Sequence, residues 1–159
     1  MLIRQFEKAD IPEMISIWNE IVEEGIAFPQ ENLLDEQTGY DFFSSQSLTA
    51  VAENNGVILG LYILHPNNIG RCGHICNASY AVSSKVRGQH IGEKLVLDCI
   101  EKGKKLGFKI LQFNAVVESN IHARHLYERV GFHQLGVIPN GFRLKNGQYA
   151  NICPYYIEL

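Results

Sequence analysis

The sequence feature that most constrains the fold is a strand–helix–strand run in the middle of the chain. His74 to Val82 (HICNASYAV) and Lys109 to Val117 (KILQFNAVV) are each predicted to be strands. Between them, apolar residues recur at helical spacing from Ile91 to Leu106, and Gly107 ends the helix. Two strands joined in this way require a parallel pairing with a crossover helix.

An antiparallel pair is predicted just before this run. Leu48 to Glu53 (LTAVAE) and Val57 to Leu64 (VILGLYIL) flank the tripeptide Asn54-Asn55-Gly56, which is a strong signal for a tight hairpin. A chain that holds both a hairpin and a parallel crossover has a mixed sheet, so the sequence predicts an α/β fold.

The remaining elements follow from apolar spacing and turn residues. They are a strand over residues 2–6, a helix from Asp10 to Gly25, a loop with a short helix before residue 47, a helix over 120–130, and two strands around Asn146-Gly147. We expect Asp10 to cap the first helix, with Pro12 in its first turn. No repeat or linker divides the chain, so residues 1–159 are predicted to form a single domain.

The charge and hydropathy pattern excludes two classes of partner. A formal net charge of -3 and a pI of about 6.1 give no basic excess for binding nucleic acid. The N-terminal MLIRQFEKAD is charged where a signal peptide is apolar, and no segment reaches membrane-spanning length. We therefore expect no nucleic-acid partner, no membrane partner and a cytoplasmic location.

Four cysteines raise the question of a metal site. Cys72 and Cys76 flank His74, but a structural zinc site needs four ligands and no second pair follows at a suitable spacing. We therefore predict no metal. All four cysteines, including Cys99 and Cys153, are expected to be buried thiols in a reducing compartment.

The loop before the central helix has the character of an anion site. It lies within Val86 to Leu95 (VRGQHIGEKL), where Gly88 and Gly92 keep side-chain bulk away from the backbone and Arg87 supplies positive charge. Helix N-termini bind phosphate through unpaired N–H groups and a partial positive charge. The alternative is a plain turn with solvated charges, and the glycines alone do not decide between a phosphate site and such a turn. Neither a P-loop nor a dinucleotide fingerprint fits.

Two stretches together resemble the GCN5-related N-acetyltransferase (GNAT) family. Arg87-Gly88-Gln89-His90-Ile91-Gly92 resembles the family's Arg/Gln-x-x-Gly-x-Gly/Ala signature, and Ser79 to Val82 resembles the splayed central strand before it. Residues 118–132 resemble the motif Asn-x-x-Ala-x-x-Leu-Tyr-x-x-x-Gly-Phe, with Asn120 and Tyr127 at motif positions. Both motifs stand in the family's order, and the resemblance covers essentially the whole chain.

The resemblance implies a GNAT fold and a cofactor. The expected fold is a mixed, mostly antiparallel sheet of six to seven strands, splayed between the two central strands and flanked by about four helices. The co-substrate is expected to be acetyl-CoA, with its pyrophosphate at the helix start and its pantetheine arm along the splayed strand. The cofactor-binding residues so implied are Tyr80, Ala81, Val82, Arg87, Gly88, Gln89, His90, Ile91, Gly92, Glu93 and Asn120. Asn120 also suits a helix N-cap.

One residue departs from the signature. His90 stands where the family usually has its first glycine, and a Cβ there narrows the approach of phosphate to the backbone. Little is lost if the residue has an ordinary helical φ, and an imidazole adds a hydrogen-bond donor. We therefore expect the histidine to be tolerated.

The resemblance also implies direct transfer of the acetyl group to a primary amine. In the family a backbone N–H of the central strand polarises the thioester carbonyl, and here that amide falls between Tyr80 and Val82. Tyr127 matches the general acid that protonates the departing thiolate. Without the motif, packing at the helix end is the simpler interpretation of Tyr127.

No general base is evident in the sequence. Some relatives carry a carboxylate on the strands that flank the splay, but this chain has Asn77 and Asn114 there. His74, His122 and His125 are candidates by titration range, although the last two suit a helix surface. A chain of waters, or an amine that arrives neutral, would serve the same purpose.

The acceptor amine is expected to bind between the first helix, the following loop and the late hairpin. Glu24, Phe28, Asn77 and Asn114 are the predicted substrate residues, and a small amino-acid-like amine is the predicted acceptor. Family members are often homodimers, and the sequence does not decide the oligomeric state. The alternative, suggested by His90 and the missing base, is a catalytically inactive coenzyme-A-binding sensor or interaction module.

Overall fold

The computed structural model describes residues 1–159, which form eight strands and four α-helices. The strands are β1 (Leu2–Gln5), β2 (Leu48–Asn54), β3 (Val57–Pro66), β4 (Ile75–Val82), β5 (Ile110–Val117), β6 (His133–Gln134), β7 (Ile138–Arg143) and β8 (Tyr149–Glu158). The helices are α1 (Ile11–Glu24), α2 (Glu36–Ser44), α3 (Ile91–Lys105) and α4 (Ile121–Val130). The predicted mixed α/β architecture is confirmed. The sheet has eight strands instead of six to seven because the two-residue β6 precedes the last hairpin.

All eight strands belong to one sheet. Their order is β1-β2-β3-β4-β5-β8-β6, and β7 pairs with β8 beside this path. Every pairing is antiparallel except that of β4 with β5, which α3 connects as the predicted parallel crossover. The order places β4 and β5 in the middle of the sheet.

The parallel pairing of these central strands is short. Ile75 lies opposite Ile110 and Cys76 opposite Leu111, and no further pair forms. From Asn77 to Val82, the edge of β4 that faces β5 therefore has no partner in the sheet. Unpaired strand backbone is a ready surface for an extended ligand, because its N–H and C=O groups still need hydrogen-bond partners.

The β2–β3 hairpin forms where the tripeptide Asn54-Asn55-Gly56 predicts it. Asn55 and Gly56 form the two-residue loop, with φ values of 52° and 80°. A turn with positive φ at both central residues matches the right-handed twist of the flanking strands, and Asn-Gly supplies it at low steric cost. The loop therefore fixes the register that pairs Asn54 with Val57.

The first helix begins differently from the expectation. A short 3-10 turn, Lys8–Asp10, precedes α1, so Asp10 already has near-helical angles and its side chain caps no helix amide. Its carboxylate instead accepts hydrogen bonds from the Arg4 guanidinium at 2.7 and 2.9 Å and from the Glu7 amide at 2.7 Å. The prediction that Asp10 caps the first helix was wrong. Its side chain instead links β1 to the start of α1. Gly25 ends the helix with φ 65°, as expected.

The two faces of the sheet carry separate cores, which we call the α1 face and the α3 face. Leu61 and Ile63 of β3 pack with Trp18 on the α1 face, and Tyr62 and Leu64 pack with the buried side of α3 on the other. The period-two alternation of a strand produces this division. It also sorts every side chain around the splay to one face or the other.

The cysteines only partly follow the expectation. Cys76, Cys99 and Cys153 are buried thiols, but Cys72 is exposed, because it lies in the surface 3-10 turn Gly70–Cys72 between β3 and β4. The prediction of burial was wrong for Cys72. Nowhere does the chain bring three metal-ligating side chains together. None of the helices has both the length and the apolar character that crossing a bilayer requires.

Candidate active site

The divergence of β4 and β5 opens a cleft with a volume of about 1350 Å³. Its walls come from β3, β4, β5, α4, the β4–α3 loop and the α1–α2 segment. The volume exceeds the ~1,000 Å³ that bounds ordinary small-molecule pockets. It is large enough for a long ligand together with a second small one.

The β4–α3 loop presents a run of unpaired amides to this cleft. The backbone N–H groups from Arg87 to Glu93 donate to no other group of the chain. Gly88 and His90 both have positive φ, 82° and 58°, so the loop turns sharply as it enters α3. Amides at a helix N-terminus, next to its positive dipole end, bind anionic oxygens. The loop therefore has the geometry of an anion site.

His90 does not have the ordinary helical φ under which a Cβ at this position would cost little. With φ 58° and ψ 21° it lies in the left-handed region, where a histidine costs about 1 kcal/mol more than glycine. The turn into α3, and not the helix itself, sets this backbone conformation. The imidazole is 75% exposed, with Nδ1 3.4 Å from the Glu93 carboxylate. The side chain therefore projects towards solvent instead of covering the loop.

Charged side chains surround the loop in opposed pairs. The Arg87 guanidinium donates to the Glu24 carboxylate at the end of α1, and the Arg129 guanidinium donates to Glu93 at 2.8 Å. The contact with Arg129 holds the pKa of the Glu93 carboxyl below its usual range. Glu20 accepts a hydrogen bond from the Ser84 amide at 3.1 Å. Two carboxylates of α1 thus hold the loop, and a predicted cofactor residue contacts a predicted substrate residue.

Tyr127 lies on α4, with its ring against two phenylalanines. Its centroid is 4.5 Å from that of Phe113 and 5.5 Å from that of Phe132. The side chain lines the cleft, and its hydroxyl neither bonds to the chain nor is sealed from solvent. Burial raises the pKa of Tyr127, so the phenol stays protonated at neutral pH. Both the packing and the proton-donor interpretations fit this placement.

Asn120 and Tyr80 line the cleft on its α3 side. The Asn120 side chain accepts from the Ala123 amide at 3.3 Å and so caps α4, as expected. The Tyr80 hydroxyl is buried without a hydrogen-bond partner, and burial raises its pKa. Two predicted cofactor residues do not line the cleft. The Ala81 side chain packs in the α1-face core, and the Gln89 side chain is exposed.

All four predicted substrate residues line the cleft, and each also has a contact within the fold. Glu24 pairs with Arg87, as described above. Phe28 is 7% exposed, with its ring 4.4 Å from that of Trp18. The Asn77 amide donates to the Gln112 carbonyl at 2.8 Å, immediately beyond the last β4–β5 pair, and Asn114 donates to the Asn67 side chain at 2.6 Å. The Asn77 amide thus joins β4 to β5 where they separate, and Asn114 joins β5 to the loop between β3 and β4.

His65 and Gln30 are among the residues of the cleft that sequence reasoning missed. His65 is the penultimate residue of β3 and lies on the same face as Leu61 and Ile63, and its Nδ1 lies 3.0 Å from the Pro66 carbonyl oxygen. Its position on that face was readable from the strand alternation, but its place beside β4 depends on register. The Gln30 side-chain oxygen is buried in the cleft wall without a hydrogen-bond partner. No sequence signal marks it.

The three histidines named as candidate bases differ in their positions relative to the cleft. His74 is exposed and does not line the cleft. His122 and His125 line it from α4, and both are exposed, as a helix surface predicts.

Known proteins share this sequence pattern and this fold. The model of the acetyltransferase (GNAT) family matches residues 12–132. The N-acetyltransferase aca1 of Schizosaccharomyces pombe is 39% identical over 88 residues, which make up 55% of this chain and 42% of that protein. The chain thus spans less than half the length of this curated relative.

Two solved structures show the same architecture over nearly the full chain. A GCN5-related N-acetyltransferase from Kribbella flavida is 30% identical, with a TM-score of 0.91 over 99% of this chain and 97% of that one. The yncA protein of Salmonella typhimurium, solved with its cofactor acetyl-CoA, is 20% identical, with a TM-score of 0.93 over 100% of this chain and 94% of that one. The family match, which covers most of the chain, and the fold agree, and the chain belongs to the GNAT family of acetyltransferases.

Proposed function

We propose that the protein is an acetyl-CoA-dependent N-acetyltransferase that acts on the primary amine of a small amino-acid-like molecule. The observation that carries this proposal is a single cleft that combines the unpaired amides of Arg87 to Glu93, the unpaired edge of β4 and the hydroxyl of Tyr127. Residues 1–159 form one acetyltransferase domain. Its cysteines are unpaired thiols, which suits the reducing cytoplasm.

The residues present fit acetyl-CoA. The amides of the β4–α3 loop would hold the diphosphate, and Arg87 would exchange its contact with Glu24 for one with a phosphate oxygen. The free edge of β4 between Asn77 and Val82 would pair with the amide groups of the pantetheine arm. Bound in this way, the cofactor supplies an activated thioester.

The chain's own groups then act on that thioester in two places. An amide of β4 between Tyr80 and Val82 donates to the carbonyl oxygen, where negative charge develops during the attack of the amine. Tyr127 gives its proton to the sulfur as the bond to the acetyl carbon breaks. Thiolates leave readily, so this acid accelerates the reaction without being indispensable.

The acceptor end of the cleft suits a small polar amine. Asn77, Asn114 and Gln30 line it with neutral amide groups, and aromatic rings of the α1-face core form its floor. The β7–β8 hairpin leans against the α1–α2 segment, because Arg143 donates to Glu31 at 2.6 Å and the stem of Lys145 lies beside Gly25. The hairpin therefore supports the segment that forms the acceptor wall of the cleft.

The test is thiol release from acetyl-CoA across a panel of amino acids, amino-acid analogues, polyamines and peptides, with products identified by mass spectrometry. We expect release with at least one small amino-acid-like amine, and a product heavier by one acetyl group. Release only with peptides would overturn the substrate class. Calorimetric binding of acetyl-CoA with no release on any amine would instead identify a coenzyme-A-binding module.

A further inference from the structure

His65 occupies a distinctive position on the α1 face of the sheet. In the β3–β4 ladder it lies opposite Asn77, one residue beyond the last pair that joins β4 to β5. The side chain lines the cleft and is partly buried. It therefore stands beside the point where the two central strands separate.

The hydrogen bond to Pro66 fixes the tautomer of this imidazole. A carbonyl oxygen only accepts, so Nδ1 must carry the hydrogen in the 3.0 Å contact between Nδ1 and the Pro66 oxygen. In the neutral ring Nε2 then holds a lone pair, and no group of the chain donates to it. A neutral imidazole with one nitrogen anchored and the other unoccupied is arranged to accept a proton.

Few other groups at this end of the cleft can accept a proton. The neighbouring polar side chains contributed by β4, β5, the α1–α2 segment and the end of α2 are Asn77, Ser79, Asn114, Gln30, Ser45 and Gln46, and none is ionisable in the physiological range. Two carboxylates line the cleft, and each contacts an arginine: Glu24 accepts from Arg87, and Glu93 accepts from Arg129. His65 is an ionisable side chain of the cleft that has no charged partner.

We propose that His65 is the general base for the acceptor amine, an inference that rests on the proposed acetyltransferase function. Nε2 takes one proton from the ammonium group, and the resulting lone pair on nitrogen forms the bond to the acetyl carbon. The carbon–sulfur bond breaks, and Tyr127 gives its proton to the sulfur. The second proton lost by nitrogen restores the phenol, so each turnover converts an ammonium ion and a thioester into an amide, a thiol and one released proton.

The faces of the sheet support this division of roles. Tyr127 packs with Phe113 on the α3 face, whereas His65 lies on the α1 face, where α1 and the α1–α2 segment form the acceptor wall. Tyr80 lies three positions beyond Asn77 on β4, a distance of about 10 Å along a strand. His65 would therefore act on the amine through bridging water. The base and the acid therefore approach the reacting carbon from opposite sides.

The test compares His65→Gln with wild type, with His74→Gln as the matched control, because His74 is exposed and outside the cleft. We expect His65→Gln to lower kcat/KM for the amine about 100-fold at neutral pH. The difference should shrink at high pH, where the amine arrives neutral, and the calorimetric Kd for acetyl-CoA should not change. A His65→Gln enzyme with the wild-type pH profile overturns the proposal, as does an equal loss at every pH.

A second measurement does not depend on knowing the substrate. Nitrogen-15 spectra of the imidazole rings in the wild-type protein should show neutral His65 protonated at Nδ1, and the opposite tautomer would overturn the proposal. The two hypotheses fail separately. A wild-type enzyme that releases no thiol with any amine refutes the proposed function, whereas an active enzyme that does not need His65 refutes only the role of this residue.

Discussion

Replacing Tyr127 by Phe removes a single hydroxyl from the cleft. The hydroxyl makes no hydrogen bond within the chain, so no buried partner is left unsatisfied, and the ring keeps its contacts with Phe113 and Phe132. We therefore expect the free energy of unfolding to change by less than about 0.5 kcal/mol. The catalytic cost should be larger. Removing a general acid lowers the rate about 10²- to 10⁴-fold, and a thiol with a pKa of about 8.5 is a good leaving group, which favours the lower end.

A 100-fold loss corresponds to about 2.7 kcal/mol of transition-state stabilisation. Steady-state thiol release should therefore show kcat reduced about 100-fold, while calorimetry shows an unchanged Kd for acetyl-CoA. Tyr156→Phe is the matched control, because its hydroxyl makes no hydrogen bond and its side chain lies outside the cleft. If Tyr127→Phe turned over at the wild-type rate, the general-acid role of Tyr127 would be refuted and packing would remain as its role. A loss of both stability and acetyl-CoA affinity would refute the expectation that the substitution removes only the hydroxyl and leaves the fold unchanged.

Three further changes test the surrounding structure. His90→Gly should raise the free energy of unfolding by about 1 kcal/mol, because glycine relieves the left-handed backbone, and thermal unfolding with unchanged Tm would contradict this. Asn77→Ala should lower it by about 1 kcal/mol, because the Gln112 carbonyl loses its donor, and urea unfolding measures the loss. The Arg4 guanidinium holds the pKa of Asp10 below its usual range, so this stabilisation is present above the ordinary carboxyl pKa and is lost as pH falls through the lower folded value. Asp10→Asn should therefore be less stable than wild type at about pH 6, the difference should shrink as pH falls below about 4, and a constant difference would disprove the linkage.

Local rules explain what the sequence could predict. Asn55 and Gly56 encode their own turn, and Gly25 its own helix end, so the elements around them were correct. The crossover from β4 to β5 was likewise correct, because a strand, a helix and a strand in succession have few ways to pack. The residues of the loop signature are also contiguous in sequence, and so are Asn120 and the helix that it caps, so both features could be predicted.

Features that depend on distant partners could not be predicted in the same way. Glu24 and Arg87 are 63 residues apart in sequence, and only the packing of α1 against the loop brings them together. His65 became a candidate because the register of β3 on β4 sets it opposite Asn77, which no single strand encodes. The left-handed conformation of His90 likewise follows from the direction in which the chain must enter α3.

The most direct test of the central claim is a titration of the nitrogen-15-labelled protein with coenzyme A, followed by backbone amide resonances. We expect saturable binding, with the largest downfield shifts at the amides from Gly88 to Glu93, where N–H groups without partners would bind the diphosphate. Coenzyme A that saturates the protein while these resonances stay in place, or a titration with no binding at all, would contradict the claim.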